Sequence, residues 1–196
     1  MSKSDFYIKS VSKAECIQIL NDHHYLSKQS KGFKTKFNYG LFKNNDLVGV
    51  CIFTGFPVPE LSKGLFGLDR SDQDGLLELS RLCLLPDVQT TEHNITSWFV
   101  SRCIKKLRKD AHVRCILSYA DDSKHSGTIY RACNFKYYGT SSPRKDFWIL
   151  QEDGTYIKHS RGKTKHLQGE WRPRTLKHRF LMVFDKGLNI KWNEVT

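Results

Sequence analysis

Apolar and polar positions fall along this chain in blocks short enough to be read one element at a time. FYIKSVS, residues 6–12, reads as a strand ending at a polar stop. Ser12 followed by Glu15 is the pattern of a capping box. It predicts a helix running through Cys16, Ile17, Ile19 and Leu20 toward His23, His24, Tyr25 and Leu26. Residues 27–36, SKQSKGFKTK, form a basic, glycine-containing loop. In FNYGLFKNNDLVGVCIFTG, two apolar runs flank Lys43, Asn44, Asn45 and Asp46, which predicts a hairpin. Residues 57–75, rich in proline and glycine, read as a surface excursion, and LLELSRLCLL (76–85) as a strand with one packed side. Ile95, Trp98, Phe99, Cys103, Ile104 and Leu107 recur at helical spacing, so a helix is predicted over 94–109 with Arg102, Lys105, Lys106, Arg108 and Lys109 on its other face. VRCILSYA (113–120) is a buried strand, SGTIYRACNF a short helix, and FKYYGTS and DFWILQ are strands.

The order β–α–β–β–β–α–β–α–β–β contains one strand–helix–strand unit, which demands a parallel pair and a right-handed crossover. The predicted class is therefore α/β (mixed α+β), a mixed sheet flanked by helices. The chain of 196 residues suits one ordinary domain with an appendage. We set residues 1–150 as the catalytic domain and 151–196 as a basic C-terminal extension packed on it.

Charge narrows the partner. There are 32 Lys and Arg against 20 Asp and Glu, a formal charge of +12. Such an excess favours a polyanion, nucleic acid ahead of an acidic membrane. The six cysteines contain no CxxC pair and mostly sit in apolar surroundings, as in VCIF and RCILSY. Reduced, buried thiols and a cytoplasmic location are the expectation. No membrane partner is expected, since no apolar run has spanning length. The histidines have no spacing that makes a metal site convincing, and oligomeric state is left open.

The densest chemistry lies in LSYADDSKHSGTIYRACNFKYYGTS, residues 117–141, where an apolar strand runs into acidic and small residues and then a tyrosine on a short helix. Ligands gather at the carboxyl ends of such strands in open α/β sheets. Element order and Tyr130 in the helix after the fifth strand resemble the GNAT acyltransferase fold, whose sheet splays at its centre. That family's short helix often reads Ala-x-x-Leu-Tyr-x-x-x-Gly-Phe. Ile129, Tyr130 and Phe135 match it, with Asn134 where glycine usually stands. Asn is the other residue that tolerates a left-handed backbone. The family's glycine-rich phosphate turn has no counterpart in Pro86–Ser97, and Glu92 would oppose a pyrophosphate there.

A narrower resemblance covers both the match and the departure. Glu78-Leu-Ser-Arg81-Leu, a helix, Ser118-Tyr-Ala-Asp121, and Gly127-Thr-Ile-Tyr130-Arg-Ala-Cys-Asn-Phe are similar to the Mom family of phage DNA-modification proteins. The likeness runs over about residues 20–180 and is most specific in 78–140. It implies transfer of a carbamoylmethyl, acetamido-like, group to the N6 amine of adenine in double-stranded DNA, which evades restriction. It also implies catalytic roles for Tyr130, Asp121, Arg81, His24 and Tyr25, with Thr96, Ser97 and Ser118 toward the donor. The donor itself, an acyl-CoA or another activated carrier, stays open.

Each residue also has a plainer reading. Tyr130 could be a core tyrosine, although a phenol with an ordinary pKa near ~10 makes a sound general acid for a basic leaving group. Asp121 or Asp122 could cap the next helix or orient the amine. Arg81 could pair with Glu78 or hold a substrate anion. His23 and His24 could complement the helix dipole. The run from Tyr156 to Phe180 could be a solvated tail. Its arginine spacing and interleaved Trp171 also suit a DNA-backbone cradle, with Lys31, Lys34, Lys36, Arg161, Lys163, Lys165, Arg172, Arg174, Lys177 and Arg179 as contacts. An adenine amine lies inside the duplex stack, so the enzyme must extrude the base or act on exposed strands; Trp171, Phe33 and Tyr138 are the candidate stacking platforms. Two rival functions remain: an N-acetyltransferase acting on protein or small-molecule amines, and a non-catalytic DNA-binding protein built on the same scaffold.

Overall fold

A computed structural model describes residues 3–24, 33–159 and 163–195. Tyr25, Lys31 and Arg161 lie outside the described residues. The first strand, β1 (Phe6–Ser10), leads into α1 (Lys13–His23). The capping box is present in both directions. Ser12 Oγ accepts from the Glu15 amide at 3.2 Å, and the Glu15 carboxylate accepts from the Ser12 amide at 2.7 Å.

The hairpin forms as expected from β2 (Phe37–Lys43) and β3 (Asp46–Gly55). Asn44 and Asn45 both take positive φ, 49° and 75°, the backbone that a two-residue hairpin turn needs. The excursion at 57–75 holds more order than its composition suggests: Pro59 starts α2 (Pro59–Phe66), and Gly67 closes it at φ 77°. Then come β4 (Leu76–Leu84), a short α3 (Pro86–Thr91) and the long α4 (Ile95–Asp110). These are followed by β5 (Cys115–Asp121), α5 (Thr128–Ala132), β6 (Lys136–Thr140) and β7 (Lys145–Leu150). Three further strands, β8 (Tyr156–Lys158), β9 (Gly169–Pro173) and β10 (Lys177–Val183), complete the order.

The main sheet has seven strands in the order β1-β2-β3-β4-β5-β10-β6, and β8-β7-β9 form a small second sheet. Only β4 and β5 run parallel; the other neighbours in the main sheet are antiparallel. This topology corrects the division at residue 150. Strand β10 lies between β5 and β6 and pairs with both, Phe180 facing Ser118 on one side and Tyr137 on the other. Its Phe180 and Leu181 are buried. The stretch after 150 thus supplies a central strand, because Phe180 and Leu181 bury apolar surface that would otherwise leave the sheet split.

Apolar clusters cover both faces. Phe99, Val100, Cys103 and Leu107 of α4 pack on Tyr39, Cys51, Phe53, Leu77 and Ile116 on one face. On the other, Cys16, Ile19 and Leu20 of α1 meet Val50 and Ile52, while Leu65 and Phe66 of α2 meet Leu76, Leu117 and Leu181. All six cysteines are buried and unpaired, as expected.

The site is prepared where β4 and β5 part. They pair only over Leu76–Leu79 against Cys115–Ser118. Beyond that point β4 stays with β3 to Leu84 and β5 stays with β10 to Asp121, so a wedge opens between them. A register shift leaves Ser80 opposite no partner, with Ile52 facing Arg81 and Phe53 facing Leu79. Such a bulge bends the strand and re-aims the side chains after it.

Candidate active site

The wedge contains a cavity of about 440 Å³. Ser80 and Arg81 line it from β4, Tyr119 from β5, Thr96 from α4, Tyr130 from α5, and His24 from the end of α1. Arg81 and Tyr130, 49 positions apart (130 − 81) in the chain, are thus brought to one opening, as are His24 and Thr96.

Each is held there for a local reason. His24 is the C-cap of α1, and its backbone amide donates to the Leu20 carbonyl. Its ring is buried, and burial first, then the nearby Arg81 and His125, pull its pKa down to about 4. The imidazole is therefore neutral at pH 7, fit to give or accept a hydrogen bond but a poor proton acceptor. Arg81 donates through Nη1 to the Ser80 carbonyl at 2.7 Å. Its Nε is buried with no hydrogen-bond partner among the described residues. Nor does any carboxylate among them approach within ion-pair distance, so the structural pairing with Glu78 does not form. A buried donor without an acceptor costs about 1–3 kcal/mol, which a ligand acceptor would recover.

Tyr130 is buried, packed edge-on against Phe135 at 5.7 Å and tilted on Phe180 at 5.2 Å between centroids. Gly127 makes that packing possible. It precedes α5 at φ 78°, and a Cβ there would run into the Phe180 ring. Asn134 closes the same segment in the left-handed region, φ 66°, as its place in the motif suggests. The core reading and the site reading of Tyr130 hold together: its ring is packed while it lines the cavity.

Two acids divide the electrostatics. Asp121 does not line the cavity, which corrects the expectation that it converges with Arg81 and Tyr130. Its carboxylate accepts from Ser123 Oγ at 2.8 Å, the Ser123 amide at 3.1 Å and Thr175 Oγ1 at 3.0 Å, and sits 3.6 Å from Lys177 Nζ. Burial opposes its ionisation, but the Ser123 and Thr175 bonds and Lys177 outweigh that and hold the carboxyl below its ordinary value. It orders the loop after β5. A second acid, Glu78 of the Glu78-Leu-Ser-Arg81 motif, stands in the paired stretch of β4 just before the strands part and, like Asp121, does not line the cavity. Burial pushes its pKa up to about 7, against the pull of Arg81 and Lys177. Burial, then Glu78, push the neighbouring Tyr119 phenol up to about 12. A polar residue inside an apolar strand is the sequence signal that could have singled out Glu78.

Two expected donor-side residues fall elsewhere. Ser118 is fully buried and donates to the Leu79 carbonyl at 3.1 Å, where the paired part of β4 and β5 ends. Ser97 turns back on the start of α4, donating to the Asn94 carbonyl at 3.1 Å, and does not line this cavity. The stretch that lacks glycine is folded into α3, and Glu92 is paired with Lys43 at 2.9 Å. That pairing offsets the charge expected to repel an anion.

A model of the Mom protein family matches residues 5–193. The chain belongs to the Mom protein family. Among solved structures, the fold is similar to the ribosomal-protein-S18-alanine N-acetyltransferase of Escherichia coli (TM-score 0.54, 13% identity, 94% of this chain and 99% of that one). It is also similar to an IAA acetyltransferase of Bacillus cereus (TM-score 0.56, 11% identity, 91% and 99%). A third is an acetyltransferase of Bacillus subtilis solved with CoA (TM-score 0.50, 12% identity, 91% and 97%). A search of curated proteins returns no match. The fold of this Mom protein is thus the GNAT one, with its sheet splayed where Arg81 and Tyr130 meet.

The basic residues expected on DNA scatter over three settings. Lys34, Lys36, Lys163 and Lys165 are exposed. Arg172 is paired with Glu170 and lies over the Tyr156 ring at 4.1 Å, so it packs the small sheet. Arg174 is engaged by Asp146, which also holds Lys158 at 2.6 Å, and the Arg174 bonds first among these influences pull that carboxyl down to about 2. Of the stacking platforms, Trp171 is exposed, whereas Phe33 and Tyr138 are buried in the two clusters beneath α1 and α2 and cannot receive a base.

Proposed function

We propose that this chain is a DNA-modifying transferase that places a carbamoylmethyl group on the N6 amine of adenine and so shields DNA from restriction. The observation that carries the reading is the meeting of Arg81 and Tyr130 in the wedge of a GNAT-type sheet, in a chain of the Mom family with a charge of +12.

The residues divide the work. The donor supplies an electrophilic carbon bearing a leaving group. For a carbamoylmethyl product that carbon is a methylene bearing the carboxamide, because attack on a thioester carbonyl would give an N6-acyl adenine; Thr96 and the orphan Nε of Arg81 would hold the polar or anionic part of the carrier. The adenine nitrogen forms the new bond to that carbon as the bond to the leaving group breaks. Tyr130 donates its phenolic proton to the departing atom. The amine is barely basic before the bond forms, so its proton leaves late, when the nitrogen has become acidic. Glu78, which titrates near neutrality behind the cavity wall two residues before Ser80, would take that proton through an intervening water. Neutral His24 completes the wall as a hydrogen-bonding group.

The test is a nucleoside mass spectrum of DNA from bacteria expressing the protein. The expected product is deoxyadenosine carrying a carbamoylmethyl group, with a yield cut at least ~10²-fold by Tyr130→Phe. Unmodified deoxyadenosine alone would defeat the proposal. An acetylated protein or small-molecule amine instead of a modified base would move the assignment to an ordinary N-acetyltransferase.

A further inference from the structure

Across Tyr119 from the active-site cavity lies a second one of about 310 Å³, and Tyr119 lines both. Its walls join two chemistries. Leu61 and Trp192 offer apolar surface, and Arg144, Arg174, Lys177 and Arg179 bring four cations to the same opening. No acid is among its lining residues. Asp146 and Asp121 reach in from behind to hold Arg174 and Lys177. Among the described residues no carboxylate lies within ion-pair distance of Arg144 or Arg179.

Arg179 is the informative member. Its guanidinium lies 4.2 Å from the Trp192 ring centroid, and its Nε is buried with no hydrogen-bond partner among the described residues. Burial also lowers its affinity for its proton. A half-buried cation among three others is unfavourable until an anion joins it. The ligand chemistry that fits is a flat or apolar body carrying a phosphate, with the phosphate taken by guanidinium forks.

We propose that this second cavity grips a phosphodiester of the acceptor strand through Arg144 and Arg179, beside the extruded nucleotide. The base then reaches the wedge from the side of Tyr119 opposite the donor. The inference rests on the reading of DNA as acceptor.

Calorimetric titration of the full chain with 5′-deoxyadenylate and with deoxyadenosine separates the phosphate from the base. The phosphate-bearing probe is expected to bind at least ~10-fold more tightly, the effect of one or two charge-assisted hydrogen bonds. Arg144→Gln, at an exposed position, should remove most of that preference with an unchanged circular dichroism spectrum. Arg179→Lys, which keeps the charge but loses the fork, should weaken it part-way. A short single-stranded oligonucleotide should displace deoxyadenylate and coenzyme A should not. Equal affinity for the two probes, a full preference in Arg144→Gln, or displacement by coenzyme A would each overturn the site. If the nucleoside spectrum shows no modified base while the phosphate preference persists and falls in Arg144→Gln, the site stands and the proposed reaction falls. A modified base with no phosphate preference gives the reverse.

Discussion

The first four paired residues of β4 and β5 and the residues that follow them belong to the same two strands and behave oppositely. In the paired part, Leu76, Leu77, Leu79, Cys115, Ile116 and Leu117 are buried on both faces, the pattern of a parallel ladder covered by helices. In the parted stretch, Ser80, Arg81 and Tyr119 turn toward open space and line a cavity. What separates the two is a single extra residue at Ser80, which bends β4 away while β10 holds the other edge of β5 along its whole length. Stability is concentrated in one half and chemistry in the other. Glu78 is the only charged residue among the eight paired positions, and it stands next to the parting.

The contrast can be broken from either end. The largest effect should come from the ladder. Leu117→Ala deletes a fully buried side chain and should cost about 2–5 kcal/mol, lowering the melting temperature by roughly 2–4 °C for each kcal/mol. Thermal melts check this, and a loss below about 1 kcal/mol would mean that the ladder does not carry the stability assigned to it.

Glu78→Gln tests the boundary. The folded protein holds the Glu78 proton more tightly (about 7) than the unfolded chain does (4.5), so folding loses stability as pH rises from the lower value through the higher. The Gln variant should match the native protein near pH 4 and exceed it by about 1–3 kcal/mol near pH 8, read by urea denaturation at both pH values. Its modification rate should fall roughly 10²–10⁴-fold and lose the rise toward neutral pH expected of the native protein. An unaltered pH profile would remove Glu78 from the reaction.

Asp121→Asn should have the smallest effect, about 1 kcal/mol, because two hydroxyls, an amide and Lys177 share the load of holding that loop. The Asp121 carboxyl sits below its ordinary value of 3.8, so the native protein keeps this stability above that pH and loses it as acid protonates the group. The gap between native and Asn proteins should therefore narrow as the pH falls below 3.8 in the same denaturation series. A gap that persists there would assign the loss to something other than charge.

Several elements were legible because their causes are local. Ser12 with Glu15 marks the start of α1, Asn44-Asn45 marks a tight hairpin, and the spacing of Phe99, Cys103 and Leu107 marks a helix packed on one side. The motif around Tyr130 was readable for the same reason, since Gly127 and Asn134 are required by the backbone of that short segment itself. Asp121 misled because an acid that ends a strand looks the same whether its oxygens face a cavity or tie down a loop. Phe33, Tyr138 and Trp171 are alike in sequence as platforms, yet only Trp171 is exposed.

By itself the sequence determined the local elements, the basic character of the chain and the family to which its motifs belong. Each of these depends on residues a few positions apart or on a simple sum of charges. Only the tertiary structure decided that β10 enters the main sheet, that Arg81 and Tyr130 share a cavity while Asp121 does not, and that four cations meet around Trp192. Those outcomes depend on which strand claims the edge of β5. That choice is made by apolar burial and backbone pairing between residues more than 50 positions apart, such as Ser118 and Phe180, and no local pattern records it.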